Sequence, residues 1–252
     1  MTRFSEWCSQ KNAVVTSHKL LLMDVQPSKQ KHAIEVLAKA IPDYYSSPKR
    51  ISELLIKLGR REVAKYVAEK LPTSPTIRSG DLGEILCTAY VAEETNFNLG
   101  IKRLRWKDHR NMSMRGDDVL AFSIGPKKTL RVLKAEVKSR ATLQTSVVNE
   151  ARNALSENGE LPSAHAISFV ADRVGEIGDQ ELQDALDNIQ LKYGLKKSQV
   201  THMLFTFSGN DPEKILSINL SSYKGAVPQY YVGLRVSDHQ NFIKLVFDSV
   251  GI

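Results

Sequence analysis

Residues 130–140 read LRVLKAEVKSR, and this segment decides how the rest of the chain is interpreted. Side chains alternate between the two faces of a β-strand, so Leu133, Ala135 and Val137 are expected on one apolar face. The opposite face would carry Lys134, Glu136 and Lys138. Such a strand either turns its charged face to water or brings these groups to a metal ion and a phosphate.

A second strand is predicted over residues 118–124, which read DVLAFSI. The glycine, proline and lysines at 125–128 predict a turn, so the two strands would form a β-hairpin. The start of one hairpin strand lies near the end of the other. Asp118 and Glu136 are therefore expected to meet at one end of the sheet.

Two carboxylates at one point suit a hard divalent cation, because Mg²⁺ takes oxygen ligands and usually keeps waters and substrate phosphate in its shell. The predicted ligands are Asp118, Glu136 and the backbone carbonyl of Val137, with Mn²⁺ a plausible substitute for Mg²⁺. Lys138 would orient the attacking water or offset charge on the phosphate. Glu84, on a predicted buried helix, would reach a metal-bound water or a second metal.

The Glu136-Val137-Lys138 triplet is the single [DE]-x-K pattern in the chain, although chance alone would supply roughly two. Its context carries the interpretation, because it lies inside an apolar strand and eighteen residues after an aspartate that opens another strand. An exposed edge strand with a ladder of lysine and glutamate remains the alternative.

The net charge of +7 is concentrated in one part of the chain. Residues 102–140 hold twelve Lys/Arg against four Asp/Glu, and such a basic cluster attracts a phosphodiester backbone in a salt-dependent way. A solvated basic face without a ligand is the alternative. Trp106 lies within this cluster and could stack on a base or belong to the core. The predicted DNA-binding residues are Arg103, Arg105, Lys107, Arg110, Arg115 and Arg140.

Several classes of protein are disfavoured. No apolar run approaches the roughly 18 residues of a membrane helix, and the start MTRFSEWCSQ lacks a signal segment, so a cytoplasmic protein is expected. Two cysteines and six scattered histidines have no zinc-site spacing. The chain has no GxxxxGK[ST] phosphate loop, so any ATP-driven helicase would be another polypeptide.

The order of elements predicts an α/β protein with a mixed central sheet flanked by helices. The prolines of 71–76, LPTSPT, suggest a boundary between a mainly helical region 1–75 and a second part 76–252. In the first part, a helix is expected to end at Gly59 and another to follow from about residue 61. Later strands are predicted at 166–170, 202–207 and 230–236. Ser79 is the predicted N-cap of a buried helix that runs to about Glu94.

Three motifs now resemble a known family: SGDLGE at 79–84, RGDD at 115–118 and EVK at 136–138. They are similar to those of the PD-(D/E)xK nuclease superfamily and, within it, to the HamA family, the nuclease subunits of the Hachiman anti-phage defence system. This resemblance implies a restriction-endonuclease-like core, metal-dependent cleavage of DNA and a helicase partner, HamB. Carried over by position, it implies Asp118 as the metal-binding aspartate, Glu136 as the second ligand, Lys138 as the catalytic lysine and Glu84 as the helix glutamate.

The superfamily's proline before the aspartate is absent, which leaves Asp117 and Asp118 as candidates. Asp118 is preferred because it directly opens the apolar run, and Asp117 would then support it or face the phosphate. Gln144 could touch the site or lie on a helix surface. Region 1–75 is the predicted partner contact. Two alternative functions remain: a catalytically inert module that binds DNA or the helicase, and a restriction-like enzyme with its own sequence specificity.

Overall fold

The computed structural model describes residues 2–125 and 129–251, and the strands in these ranges form one mixed sheet. Its order is β1-β2-β7-β6-β5-β4-β3. The strands are β1 Cys8–Val15, β2 His18–Val25, β3 Asn98–Leu99, β4 Val119–Ile124, β5 Leu130–Arg140, β6 Val200–Ser208 and β7 Gln229–Arg235. The predicted hairpin is present as the antiparallel pair β4 and β5, while the predicted turn at 125–128 includes residues 126–128, which lie outside the described ranges.

The centre of the sheet is parallel. Strands β2, β7, β6 and β5 pair in parallel, whereas β1 and the pair β3 and β4 are added in antiparallel fashion at the two edges. Parallel strands are covered on both faces, which explains the nearly complete burial of β6 and β7. In open sheets of this kind, ligands bind beyond the carboxyl ends of the parallel strands. The charged part of β5 lies at such an end.

Helices cover both faces of the sheet. They are α1 Gln30–Ala40, α2 Pro42–Tyr45, α3 Pro48–Lys70, α4 Pro75–Glu94, α5 Thr145–Glu160, α6 Ala164–Glu176, α7 Gln180–Asn188, α8 Glu213–Ser222 and α9 His239–Asp248. Met203 and Phe205 of β6 pack with α1, α4 and α9 on one face, and Leu204 packs with α5 and α8 on the other. The expected α/β architecture is thus confirmed.

Two local predictions are wrong. Residues 166–170 are part of helix α6, because Ile167, Val170 and Val174 recur at helical spacing on a buried face and Ser163 caps the helix by accepting from the Ala166 N–H. Ser79 is not an N-cap, since α4 already begins at Pro75. The Ser79 hydroxyl instead lies 2.8 Å from that of Ser139 on β5.

The predicted organisation of the N-terminal region agrees with the structure in part. Gly59 interrupts α3 with a φ of +77°, as expected for a residue that ends one helical segment before the next. The N-terminal region contains three helices but also β1 and β2, which the sequence did not reveal and which join the common sheet. The division at residue 75 stays a prediction. Among the described helices, none combines the length and the apolar character needed to cross a bilayer.

Candidate active site

The pairing of β4 with β5 brings the predicted site residues to one end of the sheet. Asp118 immediately precedes Val119, which pairs with Ala135, the residue before Glu136. The backbone N–H of Val137 donates to Asp118 Oδ2 at 2.8 Å. Because the N–H and C=O of a strand residue point to the same neighbouring strand, the Val137 carbonyl also faces the side on which Asp118 lies.

Lys138 shares the charged face of β5 with Glu136. Its Nζ lies 3.0 Å from Glu136 Oε1 and donates to Glu150 Oε1 of α5 at 2.8 Å. The Lys138 side chain is only 14% exposed, so it is held over the sheet rather than directed into bulk solvent. The alternative of a solvated Lys/Glu ladder therefore disagrees with its burial.

Glu84 reaches the site from α4, which packs closely on β5 at Gly83. A Cβ atom at Gly83 would lie 3.1 Å from Val137 Cγ1 and 3.2 Å from Ser139 Cβ, so only glycine allows this approach without a shift. Both oxygens of Glu84 accept from Arg103, at 3.0 Å from Nε and 3.1 Å from Nη2.

Arg103 also contacts the two aspartates. Its Nη2 lies 3.6 Å from Asp118 Oδ1, and its Nη1 donates to the Asp117 carbonyl at 2.5 Å. The guanidinium therefore links the helix glutamate to the segment that precedes β4.

Burial and mutual repulsion shift the pKa values of these groups. Burial raises the pKa of Asp118 well above its usual value, and the nearby Glu136 and Glu84 raise it further. Burial also raises the pKa of Glu136, against the lowering effect of Lys138. Burial disfavours the charged form of Lys138, but its bonds to Glu150 and Glu136 outweigh this and raise its pKa. Lys138 is thus an ammonium ion at neutral pH. It lies beside carboxyl groups whose ionised forms are disfavoured by burial.

The donor set suits a hard cation in chemical type. Asp118, Glu136 and the Val137 carbonyl are oxygen donors, and the Asp118 and Glu136 carboxyl groups lie close enough to repel each other. In residues 2–125 and 129–251, however, no three His, Cys, Asp or Glu side chains are already gathered as a metal site. Glu84 and Glu136 are instead engaged in ion pairs, with Arg103 and Lys138 respectively.

Asp117 has a different environment from Asp118. Its Oδ1 lies 3.4 Å from Nζ of Lys134, and its Oδ2 accepts from the Ser163 N–H at 2.9 Å. The second contact joins the residues that precede β4 to the start of α6. The same Lys134 Nζ donates to three backbone carbonyls, those of Ala154, Leu155 and Leu161. Asp117 is therefore engaged in buried structural contacts.

The predicted DNA-binding residues do not form one exposed surface. Arg105 pairs with Asp43, and Lys107 pairs with Asp81, which also accepts from the Tyr45 hydroxyl at 2.6 Å. Together with Arg103, these side chains neutralise carboxylates of the protein itself. Arg115 is exposed. Arg110 donates a hydrogen bond to the Glu69 carbonyl, and Arg140 donates one to the Ser139 carbonyl.

Gln144 is exposed at the N-terminus of α5, where its carbonyl accepts from the first turn. Within residues 2–125 and 129–251, its side chain forms no hydrogen bond or ion pair with Glu84, Asp118, Glu136 or Lys138.

A cavity of about 560 Å³ adjoins the carboxylates. Its lining includes three residues of the carboxylate cluster and its surroundings, Asp117, Asp118 and Arg103, and three residues with rings or a guanidinium, Trp106, Phe169 and Arg173. From the sequence, Trp106 is expected either in the core or as a stacking surface for a base. The structure shows it half-buried in the lining of this cavity. Phe169 was hidden from sequence reasoning by the mistaken strand at 166–170.

Fold and site define the class of protein: an α/β protein whose mixed sheet carries an Asp, Glu and Lys cluster at the carboxyl end of a central strand. The family model of HamA matches residues 1–250, and the chain belongs to the HamA family. It is 29% identical over 232 residues to Hachiman protein HamA from Bacillus cereus, and the alignment covers 90% of this chain and 82% of that relative.

Proposed function

We propose that this chain is a metal-dependent DNA nuclease of the PD-(D/E)xK type, which acts with a helicase partner in the Hachiman anti-phage defence system. The observation that carries the proposal is the convergence of Asp118, Glu136 and Lys138 where β4 meets the carboxyl end of β5. The family and the relative named above support the system, and the resemblance of the motifs supports the chemistry.

Each residue has a chemical role in this proposal. Asp118, Glu136 and the Val137 carbonyl would hold Mg²⁺, or Mn²⁺ in its place. The bound ion would polarise the scissile phosphate and acidify an attacking water. The Lys138 ammonium, held by Glu150 and Glu136, is placed to orient that water and to offset charge on the phosphate. Glu84 would support the site from α4.

The helicase must be another polypeptide, since this chain has no phosphate loop. Region 1–75 is the proposed partner contact. It lies outside the Asp118, Glu136 and Lys138 cluster in sequence, so it could bind a partner without supplying that cluster.

Cleavage of plasmid DNA in Mg²⁺, with the chain alone and with its helicase, tests the chemistry. We expect EDTA and Glu136→Gln to abolish cleavage, and Lys138→Met to lower its rate at least about 100-fold, the lower range for a group that stabilises a transition state. Lys244→Met is the matched control, since it removes an exposed lysine of α9 paired with Asp248, and such surface ion pairs contribute about 0–1 kcal/mol; it should cleave as the wild type does.

Cleavage that survives both EDTA and Glu136→Gln would overturn the proposed site. Salt-sensitive DNA binding without metal-dependent cleavage, in the chain alone and in the complex, would instead identify an inert binding module. The ion pairs that occupy Glu84 and Glu136 are the observation that keeps this second function under test.

A further inference from the structure

The cavity beside Asp118 has an aromatic and cationic wall that the chemistry above does not use. Trp106 and Phe169 meet edge to face, with ring centroids 6.4 Å apart and an interplanar angle of 87°. The guanidinium carbon of Arg173 lies 5.9 Å from the Trp106 centroid and 5.4 Å from the Phe169 centroid. Both rings are only half-buried, and neither belongs to the main apolar clusters of the described residues.

This composition suits a nucleobase. Bases stack on aromatic side chains and on arginine planes, and such stacking tolerates any sequence because every base has a π-face. His165 and Arg115 line the same cavity and are exposed, so they add groups able to bond with a base edge or a flanking phosphate. A volume of about 560 Å³ falls within the ~300–1,000 Å³ typical of small-ligand sites.

The position of the cavity limits which nucleic acid can use it. Asp118 belongs both to the proposed catalytic cluster and to the cavity lining, so a phosphate at the cluster has its attached nucleotide at the cavity mouth. In a duplex the bases are stacked and paired, and a base must leave the stack to enter a pocket. An unpaired strand offers its bases without that cost.

We infer that this cavity binds one unstacked base of single-stranded DNA beside the phosphate that is to be cut. The inference rests on the proposed nuclease function and specifies its substrate class: the enzyme prefers unpaired DNA. Trp106, Phe169 and Arg173 are binding residues for that base, whereas Asp118, Glu136 and Lys138 act on the phosphate.

Binding measured in EDTA separates this inference from the chemistry, because no cleavage is required. The chain has two tryptophans, and Trp7 is fully buried, so quenching of protein fluorescence by a short single-stranded oligodeoxynucleotide reports Trp106. We expect quenching by the single strand and little quenching by the same sequence as a blunt duplex. Fluorescence anisotropy of labelled DNA gives both affinities.

Substitution of the wall then tests which residues bind. We expect Trp106→Leu and Phe169→Leu each to weaken single-strand binding about tenfold or more, a loss typical of one stacked base, and to change duplex binding less than twofold. Tyr193→Leu is the matched control, because Tyr193 is an exposed aromatic ring outside the cavity that likewise has a cation near it, with Lys192 Nζ 4.9 Å from its centroid. It should bind both DNAs as the wild type does.

Wild-type single-strand affinity in either leucine variant that folds normally, or an equal loss for single strand and duplex, would overturn the inference. Thermal unfolding of each variant identifies a folding defect, and the two variants are independent, so one folded variant decides the question. Single-strand binding that depends on Trp106 and Phe169, without Mg²⁺-dependent cleavage, would support the base-binding cavity and contradict the proposed nuclease function. Cleavage that depends on Glu136 but not on Trp106 or Phe169 would support the nuclease function and contradict the base-binding cavity.

Discussion

Arg103 neutralises Glu84 through two parallel hydrogen bonds, from Nε and from Nη2, and places the same Nη2 nitrogen 3.6 Å from Asp118. Bidentate pairs of this kind are strong and directional. The guanidinium thus stands among the carboxylates where a divalent cation would also be attracted. Metal binding and the Arg103 contacts should therefore compete for the same negative charge.

Arg103→Gln should destabilise the metal-free protein and should increase the stabilisation that Mg²⁺ gives. We expect a loss of about 2–3 kcal/mol, somewhat below the ~3–5 kcal/mol for breaking a fully buried pair, because Arg103 and Glu84 are 13% and 15% exposed. Millimolar Mg²⁺ should then raise the melting temperature more in the variant than in the wild type. Arg105→Gln, which breaks the pair with Asp43 instead, is the control. Equal Mg²⁺ responses in all three proteins would contradict the competition.

Asp117 and Asp118 should respond oppositely to neutralisation. Asp117→Asn leaves the 3%-exposed Lys134 without its carboxylate, so we expect a stability loss of about 3 kcal/mol. The raised pKa of Asp118 means that its ionised form is disfavoured in the fold, so Asp118→Asn should leave metal-free stability unchanged or increased while it abolishes cleavage. Urea unfolding and plasmid cleavage measure the two effects. The reverse assignment would be demonstrated by a destabilised Asp118→Asn and a stable but inactive Asp117→Asn.

Gly83→Ala should destabilise the protein by disturbing the packing of α4 on β5. The new Cβ would press against Val137 and Ser139, and overpacking of this kind costs about 1–3 kcal/mol. We also expect reduced cleavage, since α4 carries Glu84. Gly80→Ala, in the same helix but with nothing within 4 Å of its new Cβ, should instead stabilise the protein by about 0.5–1 kcal/mol. Thermal melts of both variants make the comparison, and equal effects would refute the close packing.

Acid should destabilise the protein through two buried histidines. Burial lowers the pKa of His202 to about 4, and its ring lies 2.9 Å from both Arg152 Nη2 and the Glu160 carbonyl. The folded pKa lies below the unfolded value of about 6.5, so the contribution is complete above pH 6.5 and is lost as the pH falls towards 4. At ~1.4 kcal/mol per pKa unit, the loss is about 3 kcal/mol.

His239, whose pKa burial also lowers to about 4, contributes in the same pH range. Urea unfolding of the wild type and of His202→Gln between pH 7 and pH 4 should show a clearly shallower pH dependence in the variant. An unchanged slope would mean that His202 does not titrate with unfolding.

The core of the site could be predicted from sequence because its pattern is local. Alternation over 133–138, and an aspartate that opens an apolar run, determine the faces and the pairing of β4 and β5. The environment of these groups could not. Arg103 and Glu84 are nineteen residues apart, and Lys107 meets Asp81 across a loop without periodicity, so a cluster of basic residues concealed a set of internal ion pairs.

The N-terminal strands were missed for a related reason. Strand β1, CSQKNAVV, lies at the sheet edge and is mostly exposed, so it has no apolar alternation that could indicate a strand. Helix α6 was mistaken for a strand because a window of five residues cannot separate period two from period 3.6. Its full buried face, which extends to Val174, resolves the ambiguity.

The parallel pairing of β2 with β7 joins residues 18–25 to residues 229–235, so sequence-distant ends of the chain share one hydrogen-bonded ladder. A truncation that removes the first 75 residues would remove β2, a neighbour of β7, and the α1 residues of the apolar cluster that contains Val232 and Leu234. Loss of a helicase after such a truncation would report collapse of the sheet edge as readily as loss of a contact. Mapping of the partner surface therefore calls for single substitutions at exposed positions of α3, such as Ile56 and Leu58, which leave the ladder intact.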